Sequence, residues 1–127
     1  MTIYSQVFVQ NNSTKEYFDI IHEAIRQKRQ KTKRNSKNFI YYEAHHILPK
    51  CIFPELSKEK TNIVLLTAKE HYRCHELLIE MTTGNTHHKM VHAFWSMATR
   101  KTNNMDRVKI SKDDYHDLRN KFSLSRK

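Results

Sequence analysis

A single glycine, Gly84, occurs in 127 residues, and Pro49 and Pro54 are the only prolines. Tight turns of most types draw on these two residues for φ values that others adopt at a cost. A chain so short of both cannot easily build a sheet-rich fold with many hairpins. The expectation is an α+β fold, mostly helical, with short connections. The length fits one domain with a modest core, and there is no internal repeat or low-complexity linker.

Hydrophobic spacing sets the elements. Residues 1–12 alternate weakly (Ile3, Val7, Val9) and suit a short strand or an extended arm. Ser13 with Glu16 reads as a capping box, and Tyr17, Phe18, Ile21, Ala24 and Ile25 then share one helical face. The run from Arg26 to Asn38 holds seven Lys/Arg and no acid, so the helix frays there into a basic loop. That loop is either a solvated tail or an arm that contacts phosphates. The segment 39–47 (FIYYEAHHI) is β-branched and aromatic enough for a strand that Pro49 ends. A loop with one short turn after Pro54 follows, then a second strand over 62–67. Thr67 with Glu70 forms another capping box, opening a helix over 68–82. Beyond Gly84, with Asn85 or Thr86 as cap, Met90, Val91, Phe94, Met97 and Ala98 mark a third amphipathic helix whose stripe is core. Val108 and Ile110 suggest a brief extended piece, and Ser111 with Asp114 opens a last helix with Tyr115, Leu118 and Phe122 on its apolar face.

On this scaffold lies a spaced set of histidines: His45-His46 on the first strand, then His71 and His75 on the second helix, with Asn62 between. Two histidines at i and i+4 project from one helix face and can bind one ion. Neighbouring residues on a strand point to opposite faces. One of the His45-His46 pair can therefore complete the shell while the other faces a reacting water, where an imidazole suits general-base work. Glu43 shares a face with His45 and can orient a ligand imidazole. Asn62 is either an ordinary turn residue or an amide that braces the loop between the strands.

Composition bounds the partner. With 23 Lys+Arg against 13 Asp+Glu the net charge is +10, a field that draws phosphate backbones or anionic membranes. No apolar run is long enough to span a bilayer, and the first residues do not read as a secretory signal. Cys51 and Cys74 lack CxxC spacing. They leave open a structural zinc site of mixed Cys and His ligands, and a non-catalytic, zinc-stabilised DNA-binding module is a further alternative. A zinc-peptidase reading fails because Tyr72 stands where a Glu must follow the first His. His87, His88 and His92 read as helix-surface or phosphate-facing residues, and His22 and His116 as surface residues.

From Tyr42-Glu-Ala-His45-His46-Ile-Leu-Pro49 through Asn62 to His71-Tyr-Arg-Cys-His75-Glu-Leu-Leu78, the chain resembles the HNH (ββα-metal) endonucleases, most closely the phage-encoded homing type. Colicin-type nuclease domains share the same spacings. The resemblance implies an HNH core at about 39–82, flanked by an N-terminal helix with basic arm (13–38) and C-terminal helices (86–124), all within a single domain 1–127. It implies His45, His71 and His75 as metal ligands, His46 as general base, Asn62 as loop-ordering residue and Glu43 as support for a ligand. The implied reaction is hydrolysis of DNA phosphodiester bonds to 5′-phosphate and 3′-hydroxyl ends with one divalent metal: Zn, Mg, Mn or Ni. The expected partner is double-stranded DNA, contacted by Arg73, Lys50, Lys69, Arg29, Lys31, Lys33 and Arg34. No membrane is involved, the chain acts as a monomer (a dimer is left open), and it works in the cytoplasm of the host cell. Where many members carry a Gly-rich loop before the Asn, this chain has Phe53-Pro54-Glu55-Leu56. Homing members often continue into C-terminal DNA-reading modules, so the resemblance carries over the cutting chemistry and not the recognition of a long site.

Overall fold

The computed structural model describes residues 7–99. Within them the chain runs through helix α1 (Asn12–Arg26), strand β1 (Glu43–His46), strand β2 (Ile63–Leu66), helix α2 (Ala68–Glu80) and helix α3 (Gly84–Thr99). Single 3-10 turns at Pro54–Leu56 and Lys60–Asn62 punctuate the loop between the strands. The fold is α+β and mostly helical, as the shortage of glycine predicts. The expected elements beyond Thr99, together with Ile3, lie outside the described residues.

The two strands pair antiparallel, with Glu43 opposite Leu66, His45 opposite Val64, and His46 opposite Ile63. Directly opposed residues of such a pair share a face. Glu43, His45, Val64 and Leu66 accordingly point inward and are buried, whereas Ala44 and Ile63 are exposed. α2 packs against both α1 and α3, and the hairpin lies on α1 and α2. Tyr17, Ile21, Leu66, Leu77, Leu78, Met81, Met90 and Val91 fill the space between them almost without solvent contact. Truncating one of these, such as Leu78, would cost about 2–5 kcal/mol by leaving a cavity.

Caps explain where the helices begin. α2 starts as expected, with Thr67 Oγ1 accepting from Glu70 N and the Glu70 carboxylate from Thr67 N. α1 differs: its N-cap is Asn11, not Ser13. The reason is that Asn11 serves two helices, its Oδ1 accepting from Thr14 N at 2.9 Å and its Nδ2 donating to Glu80 O at 3.0 Å. α3 begins at Gly84 rather than after an Asn85 or Thr86 cap. The chain's one glycine stands at φ +60°, and a Cβ there would meet nothing within 4 Å. It is needed for its backbone angle, not for room.

Other differences concern extent. The first strand covers four residues rather than nine, because only Glu43–His46 find partners on β2. Residues 39–42 approach it as irregular chain. Helix α2 stops at Glu80, and Ile25, expected on the buried face of α1, is 52% exposed on its last turn.

Arg29 roots the chain beyond α1. Its guanidinium lies over the Tyr42 ring, donates to Leu65 O at 3.1 Å, and forms a two-pronged ion pair with Glu70 at 2.6 and 3.1 Å. Burial opposes ionisation of Glu70, but the Arg29 fork and the Thr67 N–H outweigh it and hold the carboxyl below its ordinary range. A depressed folded value contributes stability above the unfolded pKa, and that contribution is lost as pH falls through the folded one. Melting temperature followed from pH 6 downward should therefore fall less steeply below about pH 4.5 in Glu70→Gln than in wild type. Parallel acid limbs would mean that the clamp carries no stability.

Candidate metal centre

His45 on β1 and His71 and His75 on α2 converge under the hairpin. Their ring centroids lie 5.1 Å (His45–His71), 5.3 Å (His45–His75) and 4.9 Å (His71–His75) apart. One nitrogen from each lies within 4.8 Å of the others, the one group of three or more such side chains this close among the described residues. A tetrahedral shell with metal–nitrogen bonds of 2.0–2.1 Å sets its nitrogens roughly 3.3 Å apart, inside the 4.8 Å within which these three lie.

Hydrogen bonds decide which nitrogens are offered. Tyr17, wholly buried on α1, donates from its hydroxyl to Ile47 O at 2.6 Å. The phenol oxygen is then an acceptor for His45 Nε2–H, 2.9 Å away, and the His45 lone pair falls on Nδ1. His71 Nδ1 sits 2.7 Å from Glu43 Oε1, and a carboxylate beside it holds the proton on Nδ1 and frees Nε2. His75 Nδ1 is buried with no hydrogen-bond partner. A buried ring nitrogen without a partner is costly as it stands, and a cation shared with His45 and His71 would satisfy it.

Electrostatics favour neutral rings. Burial, then His75, His71 and His46, keeps the His45 pKa far below the ordinary imidazole range. Burial and then His71 bring His75 down to about 3. Near neutral pH both rings hold open lone pairs.

His46 faces the other way on the strand but lines the same cleft. That cleft, of about 480 Å³, is bounded by His45, His46, Lys50, His71, His75 and Met90 among others. His46 Nε2 lies 2.9 Å from Ser57 O, and a carbonyl can only accept, so Nδ1 carries the lone pair. Asn62 braces the intervening loop. Its Oδ1 accepts from Leu48 N at 2.8 Å, and its Nδ2 donates to Leu48 O at 3.0 Å and Leu56 O at 3.3 Å.

The expected phosphate contacts divide. Lys50 lines the cleft, and Lys31, Lys33, Arg34 and Lys69 are exposed, Arg34 lying over the Phe39 ring. Arg29 and Arg73 differ from the expectation. Arg29 is bound into the clamp with Glu70, its side chain 7% exposed. Arg73 reaches across to α1 and grips Glu16 at 2.7 and 3.0 Å. Both are tied up in holding elements together. The mixed Cys/His site also fails on position: Cys74 is fully buried with its thiol pushed up to about 12 by burial, Cys51 is exposed, and neither belongs to the close group. Tyr17 escapes sequence reasoning because a buried aromatic on a helix face reads as core. Its hydroxyl was the one signal that it had a polar partner.

The chain is similar to proteins of Enterobacteria phage T4. It is 34% identical to probable mobile endonuclease D over 113 residues, which is 88% of this chain and 40% of that protein. A match of that length in 127 residues necessarily takes in Glu43 to His75. It is 40% identical to probable mobile endonuclease C over 60 residues (47% of this chain, 26% of that protein). It is 32% identical to probable mobile endonuclease E over 75 residues (59% and 50%). The matched stretches thus span half or less of each relative's length. No protein-family model matches the chain, and no solved structure does.

Two outcomes follow from this geometry. Asn62→Ala leaves Leu48 N and two carbonyls without their partner and should lower unfolding free energy by about 1–3 kcal/mol in urea titration. A native protein titrated with a thiol reagent should show one accessible group, Cys51, while Cys74 reacts only as the protein unfolds. Two equivalents reacting at once would contradict the packing of α2.

Proposed function

We propose that this chain is a metal-dependent DNA endonuclease of the HNH (ββα-metal) class, of the phage homing kind, leaving 5′-phosphate and 3′-hydroxyl ends and working in the host cytoplasm. The observation that carries the reading is one cleft shared by three lone-pair imidazoles and a fourth, His46, held outside their cluster with Nδ1 open. The similarity to proteins named mobile endonucleases supports it independently.

His45, His71 and His75 would hold one divalent cation. Imidazole nitrogens suit zinc, nickel or manganese, with magnesium admissible where water and phosphate oxygens fill the remaining positions. Bound there, the metal supplies Lewis-acid stabilisation of the charge that grows on the phosphate and the leaving oxygen. The protein residues do the rest. His46 Nδ1 accepts a proton from a water in the cleft, while Ser57 O keeps the other ring proton in place and so fixes the useful tautomer. Asn62 holds the loop that carries Ser57. Glu43 and Tyr17 aim two of the ligand rings. Lys50 lies in the cleft wall, and Lys31, Lys33, Arg34 and Lys69 supply outlying positive charge.

The test is plasmid cleavage across magnesium, manganese, nickel and zinc, with nicked and linear products separated and ends mapped. His46→Ala should cut at least 100-fold more slowly while binding DNA and zinc as wild type does. His71→Ala and His75→Ala should lose zinc in calorimetric titration. Wild-type protein that binds DNA but nicks under no metal would point instead to a zinc-stabilised binding module. Tyr17→Phe removes the anchor of His45 and should weaken zinc binding by about 10–100-fold. An unchanged zinc affinity would reduce Tyr17 to a packing residue.

A further inference from the structure

Helix α3 has a polar face that the cleft does not absorb. Its buried side, Met90, Val91 and Phe94, enters the core. Its other side carries Asn85, His88, Lys89, His92 and Ser96, at spacings that place them along one stripe. This stripe lines a second concavity of about 390 Å³. That concavity and the histidine cleft share Cys51 and Ala93, so the two meet along one edge. Lys89 marks the junction, its Nζ donating to Cys51 O at 3.3 Å.

The helix contains no acidic residue from Gly84 to Thr99. Exposed acids paired with Lys and Arg elsewhere in this chain, as on α1, are missing here. The three clustered histidines also separate by role. His87 Nδ1 turns to Ile79 O at 2.8 Å and caps α2, whereas His88 and His92 line the groove. A second metal site is not what they form, because among the described residues no third ligand joins them. What remains is a row of one cation, two imidazoles, an amide and a hydroxyl with no carboxylate. That set suits a run of phosphate oxygens.

We infer that the α3 groove is the track for the DNA phosphate backbone that flanks the bond being cut. The inference rests on the nuclease reading and adds the substrate's path to it. From Asn85 to Ser96 the helix rises about 16 Å, enough to lie along roughly three successive phosphates of one duplex strand. Lys89 holds the phosphate nearest the cleft, and His88, His92 and Ser96 hold those farther out. Such contacts set the position and register of the strand over the histidine cluster and read no sequence.

The experiment measures binding of a short duplex by fluorescence anisotropy between 50 and 200 mM salt, in the full chain carrying His46→Ala so that the DNA stays intact. Lys89→Gln in that background should weaken binding several-fold and reduce the slope of log affinity against log salt by about 0.9, one phosphate contact. Lys15→Gln, on exposed α1, should change neither. In the cutting-competent chain, Lys89→Gln should raise KM and leave kcat near wild type. Should Lys89→Gln melt early, His92→Gln carries the same test through affinity and KM. Unchanged affinity in folded Lys89→Gln and His92→Gln, or an equal loss in Lys15→Gln, would overturn the track while leaving the nuclease reading intact. Wild type that never cuts, combined with the expected Lys89 slope change, would overturn the nuclease reading and keep the groove as a DNA surface. No DNA binding by wild type would overturn both.

Discussion

Three imidazole rings packed about 5 Å apart impose the conditions that the rest of this structure meets. Protonating His45 or His75 would bury a charge beside two rings that cannot answer it. Neutral rings in turn must each place one N–H and one lone pair somewhere. Tyr17 from α1 and Glu43 from β1 take up one nitrogen each of His45 and His71, and one nitrogen of each of the three rings lies within 4.8 Å of the others. The convergence of α1, the hairpin and α2 is thus more than packing. It supplies the burial and the hydrogen-bond partners that orient the cluster.

The net charge of +10 is also less uniform than it reads. Acids placed between elements absorb particular cations: Glu70 takes Arg29, and Glu16 takes Arg73. These pairs bridge α1 or its continuation to α2, so the cations best suited to forked recognition are consumed by the fold. Among the described residues the surplus is left mainly to lysines, with Arg34 beside them, on the loop after α1, at the cleft mouth and on α3. A point charge on a flexible stem suits a backbone followed by position rather than by sequence.

Much of this was legible from residue order. The capping box of Thr67 and Glu70, the i, i+4 histidines and the strand pair around Asn62 are local patterns, and each occurs where local pattern predicts it. What escaped depends on partners distant in sequence. Asn11 displaces Ser13 as a cap because Glu80, 69 residues away, needs its amide. The first strand is short because pairing, not propensity, sets its length. Arg29 and Arg73 look like free cations until Glu70 and Glu16 arrive beside them. The polar role of Tyr17 is invisible without His45, 28 residues on. His87 is set apart from its neighbours by the end of α2, where Ile79 O meets its ring.

The bond between Tyr17 and His45 also bears on how far the strand–loop–strand–helix unit can be treated as a portable part. Residues 39–82 hold all four histidines, Glu43 and Asn62, and they look self-sufficient. Yet the most buried of those histidines leans on a phenol contributed from outside the unit, and the same phenol satisfies the Ile47 carbonyl at the start of the loop. Grafted alone onto another scaffold, the segment would carry its imidazoles but not the geometry that makes them one site. In this chain the structural unit that makes the site is larger than the motif and begins no later than α1.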